Sequence, residues 1–206
     1  MDEHYFSPRT ATDDARFPLR VRLAGQDVEL VSSSSVFSGR GLDKATAVML
    51  DRLDALSEVP AGARLLDLGC GWGPIALTAA LIHPDAEVWA VDVSARAREL
   101  TAQNAHRLGL TNVRVIAPEE VPEDLVLDVI WSNPPIRIGK PALHALLLEW
   151  IGRLAPEGTA ALVVGRNLGA DPLARWLAEQ LPGRSVAKAA SAKGFRVLEV
   201  GPLSAA

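Results

Sequence analysis

The stretch Arg64-Leu65-Leu66-Asp67-Leu68-Gly69-Cys70-Gly71-Trp72-Gly73-Pro74 decides the fold. Arg64 to Leu68 is a short apolar run closed by a turn signal, which reads as a buried strand. Glycines at alternate positions 69, 71 and 73 give the backbone the freedom a tight turn needs. Pro74 then stands in the first turn of a helix, where its missing N–H costs nothing. A strand entering a helix through glycines opens a βα unit, and a dinucleotide site would continue as G-x-G-x-x-G. Here the last glycine would fall on Pro74, so a nicotinamide dinucleotide is disfavoured.

Downstream the alternation repeats. Strands are expected at 87–91, 113–116, 127–131 and 159–164, with helices at 74–83, 94–108, about 141–154 and 172–181. Two last strands, near 185–189 and 195–200, are separated only by the Lys193-Gly194 turn. That is too short for a crossover, so they pair antiparallel. The expected class is α/β: a doubly wound, mostly parallel seven-stranded sheet with an antiparallel last strand and helices on both faces. Ligands in such sheets lie at the carboxyl ends of the strands. Upstream, Phe17 to Leu23 alternates, turns at Gly25-Gln26 and resumes at Val28 to Val31, a β-hairpin signal. A helix follows over 42–56. The 206 residues fit one domain, with 1–36 as a hairpin extension and 37–206 as the core.

Composition narrows the class further. No apolar run approaches the roughly 18 residues of a membrane span, and the opening MDEHYFSPRT shows no secretory signal, so a cytoplasmic location is expected. Cys70 is the only cysteine, and the four histidines are scattered without zinc spacing, so neither a disulfide nor a metal is expected. The net charge of −4 hides an asymmetry: residues 1–136 carry 12 Lys and Arg against 20 Asp and Glu, and residues 137–206 carry 9 against 5. Arg137, Lys140, Arg166, Lys188, Lys193 and Arg196 would form a basic rim able to attract phosphates. Ordinary solvated surface charge is the competing explanation.

The chemistry concentrates at Ser132-Asn133-Pro134-Pro135, where the fourth strand of the sheet ends. Two prolines fix φ and restrict the residues before them. An exocyclic amine is a poor nucleophile because its lone pair is delocalised into the ring. If the Asn133 side-chain oxygen and the Pro134 carbonyl accept its two N–H protons, the nitrogen is free to direct its lone pair at an electrophile. Catalysis is then mostly positioning, with no dedicated base. On the other side of the crevice, Asp67 either faces a cationic amino group or orders the glycine loop. Asp92, at the end of the second strand, suits two ribose hydroxyls.

Together these features resemble the class I S-adenosylmethionine-dependent methyltransferases. Within them the chain is similar to the small methyltransferase domain group, which contains the ribosomal RNA guanine-N2 methyltransferases and their single-domain relatives. The resemblance is carried by His4-Tyr5-Phe6-Ser7, Val36-Phe37-Ser38 with Leu42-Asp43, Asp67 to Pro74, Ser132 to Lys140, and Lys193 to Leu198. It implies a Rossmann-like fold and S-adenosyl-L-methionine as cofactor. It also implies a cofactor wall of Phe37, Ser38, Asp67, Gly69, Cys70 and Gly71, continued by Asp92, Val93, Glu119 and Asn133. Asn133, Pro134 and Pro135 would be the catalytic corner. The implied partner is ribosomal RNA or a ribosomal subunit, with the protein either a monomer or a homodimer.

Two features depart from that group. Residue 136 is Ile, where guanine and adenine enzymes often carry an aromatic that stacks on a flipped base; Phe6, Phe37 or Tyr5 would have to supply the surface. The degenerate second domain of the two-domain guanine enzymes is also missing from these 206 residues. Adenine N6 and a protein glutamine amide fit the same corner. A catalytically silent, cofactor-binding RNA-associated protein is the alternative of a different class. His144 and the strand and helix tryptophans read as packing residues, whereas Trp72 is expected to line the crevice.

Overall fold

The computed structural model describes residues 15–53 and 59–204. Seven strands form one sheet: β3 (Arg64–Leu68), β4 (Glu87–Val91), β5 (Val113–Ile116), β6 (Leu127–Ser132), β7 (Leu154–Gly165), β8 (Arg184–Ala192) and β9 (Phe195–Leu203). Their order is β5-β4-β3-β6-β7-β9-β8. Only β9 runs antiparallel to its neighbours, β7 and β8. The expected doubly wound class is therefore the observed one. The strand order reverses between β3 and β6, and that switch point opens a crevice at the carboxyl ends.

Helices α1 (Lys44–Leu50) and α2 (Pro74–Ile82) pack on one face through Ala45, Val48, Met49, Ile75, Ala76 and Ala79. Helices α4 (Lys140–Ile151) and α5 (Ala170–Gln180) cover the other through Leu143, Leu147, Trp150, Leu173 and Leu177. Helix α3 (Ala95–Arg107) lies beside α2, and Leu77, Leu100 and Ala105 form a third cluster with the hairpin β1 (Arg16–Leu23) and β2 (Gln26–Ser33). Burial of so much aliphatic surface, at about 25 cal/mol per Å², is what holds the layers together.

The expected boundaries need three corrections. The hairpin turn is Ala24-Gly25, not Gly25-Gln26: a two-residue turn matching strand twist needs positive φ at both central positions, and these have φ 49° and 74°. Helix α1 ends at Leu50, capped by Asp51; the stretch 54–58, where the helix was expected to continue, lies outside the described residues. Helix α4 stops at Ile151 rather than 154, because β7 begins at Leu154 and pairs with Leu127 before the register slips. Arg184 closes that irregularity by donating to the carbonyls of Leu154, Ala155, Gly158 and Gly201.

Candidate functional site

A cavity of about 640 Å³ opens over the carboxyl ends of β3, β4, β6 and β7. Its first wall is the glycine loop. Gly69 and Gly71 have φ of 80° and 60°, and a side-chain carbon added at either would meet nothing within 4 Å. Their bare backbone therefore faces open space, as close ligand approach requires. At Gly73, φ is 98° and an added carbon would lie 3.1 Å from Leu77 and Thr101, so this third glycine is required by both conformation and packing.

The loop is held from several directions. Gly69 and Cys70 donate their N–H groups to the Val91 carbonyl at 2.8 and 3.1 Å. Gly71 N–H donates to Asp92 Oδ2 at 3.0 Å, while Asp92 Oδ1 accepts from Ser94 N–H at 2.8 Å. Thr101 Oγ1 donates to the Gly71 carbonyl at 3.0 Å. Asn104, fully buried, donates to the carbonyls of Trp72 and Val31 and accepts from Val31 N–H at 2.8 Å, tying loop, α3 and hairpin into one unit. Neither Thr101 nor Asn104 was anticipated as a site residue. A fully buried Asn inside a helix is the signal that could have revealed the latter, since buried amides require partners.

Asp67 is 1% exposed. Its Oδ2 accepts from Ala76 N–H at 2.9 Å, which ties it to the start of α2, and Oδ1 has no partner. Burial pushes its pKa up from 3.8 to about 7; the Ala76 hydrogen bond opposes this and the Asp92 charge adds to it. Cys70 is buried, has its sulfur 3.5 Å from Thr101 Oγ1, and has a thiol pKa raised by burial and then by Asp67. It is inert as a nucleophile. Phe37 (71% exposed) and Val93 (85% exposed) stand at the cavity mouth. Ser38 holds φ at 54°, uncommon for a non-glycine residue, with its hydroxyl donating to the Gly41 carbonyl. Glu119 is exposed and is not part of the cavity lining; Pro118, beside it, is. Glu120 caps its own turn by accepting from Ala117 N–H.

The second wall is the Asn-Pro-Pro corner. Ser132 Oγ donates to the Leu68 carbonyl at 2.7 Å, joining the ends of β6 and β3 across the switch point. Asn133 Nδ2 donates to Asp43 Oδ2 at 3.0 Å and to Thr46 Oγ1 at 3.1 Å. Pro135, with φ −75° and ψ 73°, makes an inverse γ-turn in which the Pro134 carbonyl accepts from Ile136 N–H at 2.8 Å. That leaves the carbonyl one lone pair for another donor. Beyond the corner Ile136, Leu146, Trp150, Leu168 and Phe195 make a mostly apolar wall, joined by Arg137.

Other expectations shift. Trp72 is among the cavity-lining residues, as expected, but it is only 1% exposed and also packs with Leu19, Leu23 and Leu30 of the hairpin. His144 stacks on Trp176 with ring centroids 3.4 Å apart and is not part of the lining. The basic rim shrinks: Lys188 and Arg196 both pair with Asp171, and Lys193 with Asp51. Arg137, Lys140 and Arg166 are exposed and, among the described residues, carry no ion pair. Tyr5 and Phe6 lie outside the described residues. Among those residues no group of three or more His, Cys, Asp or Glu could hold a metal, and no helix is long and apolar enough to cross a membrane.

The geometry fits a nucleoside carrying a cationic amino group. A buried carboxyl oxygen without a partner, open space over two glycines, and an acid at the end of the second strand beside the loop suit such a ligand. The sequence pattern of the methyltransferase small domain matches residues 27–199. Uncharacterized protein YbxB of Bacillus subtilis is 31% identical over 97% of this chain and 98% of its own length. Ribosomal RNA large subunit methyltransferase G of Pseudomonas syringae is 34% identical over 74% of this chain, which spans only 42% of that relative. Among solved structures, the 16S rRNA N2 G1207 methyltransferase of T. thermophilus, in complex with AdoMet and guanosine, superposes with a TM-score of 0.76. The identity is 24%, covering 91% of this chain and 50% of that one. Since the matched span takes in both walls of the cavity, the chain belongs to the methyltransferase small domain family.

Proposed function

We propose that the chain is an N-methyltransferase acting on an exocyclic amine of ribosomal RNA, with guanine N2 as the target. The observation that carries this reading is the orientation of Asn133. Its Nδ2 is taken up by Asp43 and Thr46, so its oxygen is the end left for a ligand. An acceptor pair made of Asn133 Oδ1 and the Pro134 carbonyl matches the two N–H donors of an NH2 group. The cofactor, S-adenosylmethionine, when bound, supplies a methyl group activated by a positively charged sulfur. Asn133 and Pro134 hold the amine so that its lone pair faces that methyl. Asp67, Gly69, Cys70, Gly71, Asp92 and Val93 hold the nucleoside and amino-acid parts of the cofactor, with Phe37 and Ser38 over it. The excess proton leaves to water after transfer.

RNA is favoured over a protein substrate by Arg137, which lines the cavity, and by the exposed cations Lys140 and Arg166 near lining residues in the chain; none of the three has an ion-pair partner among the described residues, and all suit phosphates. The 34% identical relative is named as a ribosomal RNA methyltransferase, which supports the same substrate class. Ile136 leaves the flat contact for a splayed base to Phe37 and Phe195, both at the cavity. The setting is cytoplasmic, where ribosomal subunits mature. Adenine N6 and a glutamine amide present the same NH2 and remain the competing targets.

The test is transfer of labelled methyl from S-adenosylmethionine to ribosomal subunits, protein-free ribosomal RNA and cell protein, followed by nucleoside mass spectrometry. Labelled N2-methylguanosine is the expected product. Label only in N6-methyladenosine or only in protein would overturn the guanine assignment. Asn133→Ala should bind S-adenosylhomocysteine normally yet turn over about 100-fold more slowly, the order of an oxyanion-donor loss.

A further inference from the structure

We propose that Asp43 and Thr46 are positioning residues for methyl transfer, fixing which end of the Asn133 amide faces the acceptor. The inference rests on the reading that Asn133 Oδ1 accepts the target amine. An asparagine amide is nearly symmetric in shape, and only its hydrogen-bond partners decide where oxygen and nitrogen stand. Presenting the nitrogen to an NH2 group would set donor against donor and remove the acceptor.

The structure supplies a one-sided environment. Asp43 is the N-cap of α1, and its Oδ2 accepts from the N–H groups of Ala45 and Thr46 at 3.0 and 3.1 Å. The same oxygen accepts from Asn133 Nδ2 at 3.0 Å, and the Thr46 hydroxyl, buried one turn into the helix, stands 3.1 Å from Nδ2. An ionised carboxylate only accepts, so a flipped amide would set its oxygen against Asp43 Oδ2 and lose that bond, whereas the Thr46 hydroxyl, which can donate or accept, holds the amide in place while Asp43 sets its direction. The helix backbone thus fixes Asp43, and Asp43 fixes Asn133, 90 residues away. Ser132, anchored to Leu68, restrains the main chain just before the amide.

Two variants separate this role from simple stability. Asp43→Ser retains a capping oxygen but is one bond too short to reach Asn133, and Thr46→Val removes the hydroxyl at nearly constant shape. Each should keep S-adenosylhomocysteine affinity within about twofold while kcat for methyl transfer to protein-free ribosomal RNA falls on the order of 10- to 100-fold, the cost of a misplaced group. Asp43→Asn, whose amide oxygen can replace Oδ2, should recover most of the rate. In the cofactor-free protein, the Asn133 side-chain amide resonance, identified by its loss in Asn133→Ala, should shift in both variants. An unmoved resonance, or wild-type kcat in both variants beside a crippled Asn133→Ala enzyme, overturns the inference. If Asn133→Ala itself keeps full turnover, the reading of the corner fails and the positioning role with it.

Discussion

Changing the pH tests the polarity of the cavity floor, because Asp67 is buried with one oxygen unpaired. Its carboxyl titrates near 3.8 when the chain is unfolded and at about 7 when folded. The folded state therefore binds the proton more tightly, and the associated stability is fully present below about pH 4 and lost as pH rises through 7. With about 1.4 kcal/mol for each pKa unit, full ionisation costs the cofactor-free protein about 4 kcal/mol. Between about pH 5 and pH 8 the loss from this group is about 3 kcal/mol, equivalent to a fall of about 1 M or more in a urea midpoint. Asp67→Asn, which keeps an oxygen for Ala76 N–H, should lack this component. The assay is urea unfolding of both proteins at several pH values across that window. Equal pH slopes for wild type and Asp67→Asn would refute the claim that burial holds the carboxyl up. Cofactor binding should also release a proton near pH 6, if the cationic amino group pairs with Oδ1 as proposed.

Two further substitutions probe the supports of the first wall. Asn104→Leu leaves Val31 N–H and the carbonyls of Val31 and Trp72 buried without partners, a cost of about 3 to 6 kcal/mol. Thermal unfolding should show that loss and calorimetry a weaker S-adenosylhomocysteine affinity; a lowered midpoint with unchanged affinity would confine Asn104 to the fold. Asp92→Ala removes the acceptor for Gly71 and Ser94 N–H and should weaken cofactor binding at least about tenfold, or about 1.4 kcal/mol, with kcat at saturation changed less. Intact affinity would reject Asp92 as the ribose partner.

Features encoded over a few residues were legible before any coordinates. Alternating glycines, Pro74 and the apolar runs announce strand, turn and helix because each acts through its own φ and its own burial. The Lys193-Gly194 turn is of the same kind, with φ 51° and 85° joining β8 to β9 as expected. Side-chain direction was less legible. Trp72 lines the cavity yet also packs into the hairpin core, and Glu119 follows β5 yet points to solvent, because in neither case does chain position set the rotamer. The rim lost half of its expected members for a related reason. Asp171 pairs with Lys188 and Arg196 only because β8 and β9 pass beside α5.

The amino-acid order alone therefore determined the alternation of strands and helices, the glycine turn at the crevice, and the stiff corner carrying Asn133. All are local consequences of backbone dihedrals and hydrophobic period. Only the tertiary structure decided how that corner is oriented. Asp43 and Thr46 meet Asn133 across 90 and 87 residues, and Asn104 meets Val31 across 73. Such contacts exist because packing of α1 against the sheet brings it to the carboxyl end of β6, and packing of α3 against the hairpin brings Asn104 to Val31. A hydrogen bond depends on distance and angle in space, and separation along the chain carries neither.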